Sequence, residues 1–185
     1  TNICSAKWLE GLNKMDLIIV PSHHSKDVFN ITRYDKLDED TKEKIGELEA
    51  LAKIEVLFEG TDTSIYKKTS NIPQTIKTEI NKTKEKFLFL YVGHWLKGKI
   101  GQDRKDVGGL IKTFCEAFKN KKNAPALLLK TSGATFSVLD REEMVKKVAE
   151  VKATITKARL LPSIYLLHGD LHPAEMNGLY NHPKV

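Results

Sequence analysis

Phe87-Leu88-Phe89-Leu90-Tyr91-Val92-Gly93, followed after a loop by Arg104-Lys105-Asp106-Val107-Gly108-Gly109-Leu110-Ile111, is the stretch that decides the fold. The unbroken apolar run reads as a strand buried on both faces. Val107, Leu110, Ile111, Phe114, Cys115 and Phe118 then recur at steps of three and four, which makes one face of a helix. A strand, a loop with adjacent cations and a helix start together form a place to hold phosphate. The helix end offers unpaired N–H groups and partial positive charge. Arg104 adds a planar fork of donors and Lys105 a point charge. One such charge pair is worth about 4 kcal/mol at a surface-like dielectric. Desolvation offsets much of that, so both cations and the helix end are needed together. The competing reading is an exposed basic loop with Arg104 paired to Asp103 or Asp106.

The same rhythm continues outward. Ala126 to Leu129 and Ser163 to Leu167 read as two further buried strands. Arg141 to Lys157 reads as a helix with Met144, Val145, Val148, Val151 and Ile155 on one side. Pro173 to Tyr180 starts another, with Met176, Leu179 and Tyr180 facing inward. Toward the N-terminus, Ser5 to Lys14 reads as a helix and Leu17 to Val20 as a strand. A short helix follows through Phe29, capped by Ser22 or Ser25. Asp38 to Lys53 is rich in Lys, Glu and Leu, with Ile45, Leu48 and Leu51 at helical spacing, and predicts a helix. Ile54 to Phe58 is the next strand, and Glu59 to Asp62 a turn. Apolar periodicity fades over residues 63 to 84, as in a crossover between domains. Apolar strands alternating with amphipathic helices predict an α/β fold of Rossmann-like parallel sheets with flanking helices.

Composition bounds the function. The chain has 185 residues, enough for one or two domains, with 41% hydrophobic and 29% charged residues. No apolar run approaches the roughly 20 residues that span a bilayer. The first ten residues lack the layout of a signal peptide. Without an initiator Met, and ending at His182-Pro183-Lys184-Val185, the sequence reads as an excerpt. Cys4 and Cys115 are far apart and read as buried free thiols in a reducing, cytoplasmic compartment. The formal charge of +6 suits anionic ligands and leaves peripheral membrane contact open. It is too dispersed for nucleic-acid binding. Lys82 to Lys86 and Lys119 to Lys122 read as solvated turns.

In parallel sheets ligands bind beyond the carboxyl ends of the strands. Three loops occupy those ends and should converge: Gly93 to Asp106, Lys130 to Asp140, and His168 to His172. In the first, Gly93 permits close backbone approach. In the second, Lys130-Thr131-Ser132-Gly133-Ala134 can admit a ligand or serve as an ordinary connection. In the third, Pro173 and Glu175 suit a first helical turn, whose N–H groups could read a base edge. His168, His172 and His182 have no metal-ligand spacing and read as capping or surface residues. His23-His24 point apart in most backbones. No Ser-His-Asp, HExxH, P-loop or G-x-G-x-x-G pattern occurs.

These residues resemble the nucleotide-sugar-dependent glycosyltransferases of family 4, the group 1 transferases of GT-B fold. Leu17 to Ser22 with Ser25 and Phe29 look like the late strand and helix of the acceptor-side domain. Ile54 to Asp62 looks like the strand and G-x-D turn before the domain crossover. Phe87 to Gly93, with Arg104-Lys105 leading into Gly109-Leu110-Ile111, is similar to the start of the donor domain. His168-Gly169-Asp170-Leu171, with Glu175-Met176 and Leu179-Tyr180, resembles the segment near the nucleotide base. The family pattern has Arg directly after the strand's Gly, where this chain has His94. Its Lys-Gly appears as Lys105-Asp106, and its two spaced Glu are absent.

The resemblance implies a central piece of a GT-B enzyme. Residues 1–63 end the acceptor-side domain, 64–84 cross over, and 85–185 begin the donor domain. It implies sugar transfer from a nucleotide-diphosphate donor to a hydroxyl of a glycan, lipid or other acceptor, with retention and no obligatory metal or cofactor. Arg104 and Lys105 would stabilise the diphosphate. Gly93, His94, Lys130 and Ser132 would line the donor pocket, and Gly169, Asp170 and Leu171 would meet the base. Two rival readings remain: a GT-B sugar-nucleotide epimerase, and a non-catalytic nucleotide-binding or truncated module. A sheet edge left open would favour self-association.

Overall fold

The computed structural model describes residues 2–96, 100–133 and 135–185. The chain divides into two units, Thr1–Thr61 and Asp62–Val185. Both are mixed α/β, with small parallel sheets flanked by helices in the Rossmann-like manner.

In the first unit, α1 (Ala6–Leu12) precedes β1 (Leu17–Val20) and α2 (His23–Ile31). Ser22 caps α2 by accepting from the Ser25 N–H at 3.1 Å. β2 (Tyr34–Leu37) and β3 (Lys44–Leu48) pair antiparallel, and β4 (Lys53–Val56) pairs parallel with β1. Cys4, Leu9, Val28 and Leu48 form the core.

The helix expected over Asp38 to Lys53 is therefore a hairpin. Its turn chemistry outweighs its helix propensity. One Asp38 carboxylate oxygen accepts from the N–H groups of Asp40 (3.0 Å) and Thr41 (2.8 Å). Lys42 adopts a left-handed φ of 58°, and the chain reverses. The three apolar residues at helical spacing then separate. Leu48 enters the core, while Ile45 and Leu51 are exposed. Asn13 clamps the exit of β3 by donating to the Glu49 carbonyl (2.7 Å) and accepting from the Leu51 N–H (2.7 Å).

In the second unit, α3 (Gln74–Asn81) is followed by β5 (Leu88–Val92), α4 (Val107–Phe118) and β6 (Ala126–Lys130). Then come α5 (Val138–Ala153), β7 (Ile164–Leu167) and α6 (Pro173–Tyr180). β6 lies between β5 and β7, all parallel. All five residues of β6 are buried, as a central strand of an all-parallel sheet requires. Leu127 and Leu129 join Ile111, Phe114, Met144 and Val151 of α4 and α5 on one face. Ala126 and Leu128 join Ile76, Ile80 and Leu179 of α3 and α6 on the other.

Helix α3 arises where the sequence seemed to lose its periodicity. Only Ile76 and Ile80, four apart, carry its buried stripe, and Ile72 just ahead of the helix joins the same cluster. That is enough because α6 approaches closely: a Cβ on Gly178 would stand 2.5 Å from the Pro73 Cδ. Two assignments on the later helices also change. Val145 is exposed, and Lys147 is buried in its stead, paired with Glu143 at 2.8 Å. Tyr180 is half exposed, and Leu179 alone at that end is fully buried. Cys4 and Cys115 are free and buried, and burial pushes the Cys115 thiol up. Among the described residues no helix is long and apolar enough to cross a membrane.

His182 makes the second unit acid-sensitive. It is buried, and its Nδ1 accepts from the Lys184 N–H at 3.2 Å, which requires that nitrogen unprotonated. Burial, then the charges of Lys184 and Lys77, holds its pKa below the ordinary 6.5. The unfolded chain thus binds the proton more tightly. The contribution of His182 is full above about pH 6.5 and is lost as the pH falls toward the folded value. Urea titrations between pH 7.5 and about pH 5 should show this loss in the wild type. A shallower pH slope is expected in His182→Gln, and an identical slope would refute the assignment.

Candidate functional site

The carboxyl ends of β5, β6 and β7 bring the three expected loops together. The ladder continues past the strands, with the Gly93 N–H donating to the Lys130 carbonyl (3.1 Å) and the Trp95 N–H to the Ser132 carbonyl (2.8 Å). Ser132 Oγ lies 3.1 Å from His94 Nδ1. Lys130 Nζ donates to the Gly169 carbonyl at 2.6 Å and lies 5.0 Å from the centre of the Phe136 ring. A pocket of about 180 Å³ results, lined by Gly93, His94, Lys130, Thr131, Ser132 and Phe136, among others. Burial holds the Lys130 ammonium below the ordinary lysine value, and the charge of exposed Asp170 opposes that shift.

The cationic loop returns to Gly93 through Lys105. A Cβ on Gly93 would stand 2.6 Å from Lys105 Nζ and 2.8 Å from the Tyr91 hydroxyl oxygen. Only a residue without a side chain lets the ammonium lie there. Gly93 has a φ of 156°, at the margin of the region that favours glycine. Arg104 is exposed, and among the described residues it forms no ion pair with Asp103 or Asp106. Tyr91 is raised by burial first and then by Asp103, while the charge of Arg104 lowers it. Lys97, Gly98, Lys99 and Ala134 of the expected loops lie outside the described residues.

The helix end is a different matter. Asp106 is the N-cap of α4, in a left-handed conformation with φ 43°. Its Oδ1 accepts from the Gly109 N–H (3.1 Å) and the Gly101 N–H (2.8 Å). The expectation that this N-terminus offers unpaired N–H groups is corrected to that extent: a carboxylate of the chain already sits there. The paired glycines make room for the cap carboxylate and for Ile100. A Cβ on Gly109 would overlap the Asp106 carboxylate, and one on Gly108 would press on Ile100 at 3.0 Å.

The third loop is also more self-satisfied than its sequence suggests. His172 caps α6 by accepting from the Ala174 N–H at 3.4 Å, and Glu175 accepts from the His172 N–H at 3.0 Å. Thr75 donates to the other Glu175 oxygen at 2.7 Å, and these bonds, that of Thr75 foremost, hold the Glu175 carboxyl low. These first-turn groups are occupied by the capping box. Asp170 accepts from the Leu171 N–H at 3.0 Å, and Leu171 packs against the α3–α6 cluster. Gly169, with φ 128°, turns its carbonyl to Lys130.

One pair was missed altogether. His168 Nε2 lies 2.8 Å from Asp140 Oδ2, with the two side chains 4% and 9% exposed. The same carboxylate accepts from the Gly133 N–H at 3.0 and 3.1 Å. His168 is thus a buried brace joining the end of β7 to the first turn of α5, not a surface or capping residue. Ser137 followed three positions later by Asp140 marks the helix start and was the available signal. Nothing local connects either to a histidine 28 residues away. Among the described residues no group of three His, Cys, Asp or Glu side chains is arranged to hold a metal ion.

Chemically, the site offers the Lys105 ammonium against Gly93 and the Lys130 ammonium in the pocket that Gly93 also lines, together with Thr131, Ser132 and His94. Cations and hydroxyls of this kind have the chemistry to hold an oxyanion. No family model matches the chain, and no curated protein matches it.

Proposed function

We propose that this chain supplies the donor-nucleotide grip of a family 4 glycosyltransferase of GT-B type, which moves a sugar from a nucleotide diphosphate to a hydroxyl acceptor with retention. The observation that carries the reading is the return of the Lys105 ammonium over Gly93 at the carboxyl ends of parallel strands. As the bond from sugar to phosphate breaks, negative charge accumulates on the diphosphate. A cation already held at that position stabilises the transition state more than the ground state. With Asp106 seated on the α4 terminus, Arg104 and Lys105 carry this task through their side chains. His94, Lys130 and Ser132 form the adjoining wall. Gly169 and Asp170 then lie on the side where the base would rest.

Calorimetric titration with UDP, GDP and ADP tests the reading. Removing a charge-assisted hydrogen bond costs about 1.5–3 kcal/mol. Arg104→Ala combined with Lys105→Ala should weaken the preferred diphosphate by roughly 10- to 100-fold or more. The thermal midpoint should hardly move, since both residues are exposed. Equal affinity in the double variant, or no binding of any of the three by the wild type, overturns the proposal.

A further inference from the structure

Lys130 is a buried charge of the pocket at the carboxyl end of β6. It is 9% exposed, and among the described residues no carboxylate lies within ion-pair distance of it. Taking an ammonium out of water costs several kcal/mol unless it is paired. The Gly169 carbonyl and the Phe136 ring return part of that. An ammonium has three donors, and only one has a protein acceptor among the described residues. A second polar group shares this predicament: Thr131 lines the same pocket, is 2% exposed, and its hydroxyl has no partner among the described residues. The Ser132 hydroxyl, also buried, stands beside them against His94. The pocket has room for a phosphoryl or carboxylate group with a few waters, each of which takes about 30 Å³.

We infer that this pocket is an oxyanion subsite built around Lys130, which directly ligates a phosphoryl or carboxylate group of the ligand. The inference rests on the donor-binding reading for the identity of the whole ligand. It makes that ligand one whose anionic character extends past the Lys105 side of Gly93 to the end of β6. The source would be the far phosphoryl of the diphosphate or an acidic group on the transferred sugar. Arrival of the anion would supply the charge partner that the folded chain withholds from Lys130 and would restore its ammonium toward the ordinary lysine range.

The test uses the full chain with lysine side chains labelled at Nζ, observed by NMR while inorganic phosphate and acetate are added separately. The expected result is a saturable shift of the Lys130 Nζ signal, with shifts in the Thr131 and Ser132 amides, below about 50 mM anion. In folded Lys130→Met the affinity should drop at least roughly tenfold. Response to phosphate alone identifies a phosphoryl occupant, and response to both anions admits a carboxylate. An unmoved Lys130 signal in the wild type overturns the inference, and this reading needs no variant to fold. The donor proposal is judged separately: nucleotide binding lost in the Arg104 and Lys105 double variant, with Lys130 silent throughout, sinks the subsite and leaves the grip standing.

Discussion

Trp95→Ala is expected to destabilise the second unit by about 3–5 kcal/mol, the range for deleting a large buried aromatic. The indole is fully buried among Val107, Ile111 and Met144. The Lys147 ammonium lies 5.8 Å from its ring centre. The Trp95 N–H, bonded to the Ser132 carbonyl, ties the loop after β5 to the turn after β6. Alanine would leave a cavity between α4 and α5 at the root of that loop. Trp95→Phe should cost much less, about 1–2 kcal/mol. It keeps a ring in place and removes an indole N–H that has no partner among the described residues. Urea unfolding followed by a probe specific to the second unit measures both. A Trp95→Ala change below about 1 kcal/mol would mean that the indole is not the anchor. The nucleotide binding proposed above should weaken along with stability, because Gly93 and His94 belong to the same loop.

The second large effect belongs to Asp140. Replacing it with Ala strips the buried His168 Nε2 and the Gly133 N–H of a common acceptor. Each orphaned polar group costs about 1–3 kcal/mol, so a loss of about 2–6 kcal/mol is expected for the two. Asp140→Asn keeps one acceptor oxygen and should lose about half as much. Hydrogen exchange gives the sharper readout. The Gly133 amide should exchange faster in Asp140→Ala while amides in the middle of β6 keep their protection. Slow exchange at Gly133 in that variant would show that the turn after β6 does not depend on the carboxylate. The ring contact of His168 with Phe136 should loosen too, and Phe136 covers Lys130. The pair therefore reaches the Lys130 pocket through Phe136.

Legibility along this chain follows the range of the interactions involved. β5, β6 and β7 are readable as strands because each is a short apolar run, although only central β6 is buried throughout; α4 is readable because Val107, Ile111, Phe114 and Cys115 share one buried face, while Leu110, expected there too, is exposed. Helix α3 hid because three isoleucines in a polar segment make a weak pattern until α6 supplies the opposing surface. The hairpin at Tyr34 to Leu48 was misread because Lys, Glu and Leu favour a helix, while the Asp38 turn that overrides them depends on a single carboxylate. Among the site residues, Gly93, Arg104, Lys105 and Lys130 stood out by their positions at strand and helix ends. The Asp106 cap on α4, the capping box on α6 and the His168–Asp140 brace did not.

What the sequence determined by itself is the alternation of elements, and with it a parallel sheet whose carboxyl ends gather glycine, lysine and histidine. Periodicity and run length are local properties, and local sterics and burial enforce them. What only the tertiary structure decided is which donors and charges remain open. Asp106 occupies the helix end that looked free, whereas Lys130 is buried with no carboxylate in ion-pair distance among the described residues. Satisfaction of a polar group depends on what folding brings within about 3 Å of it. No spacing along the chain encodes that distance.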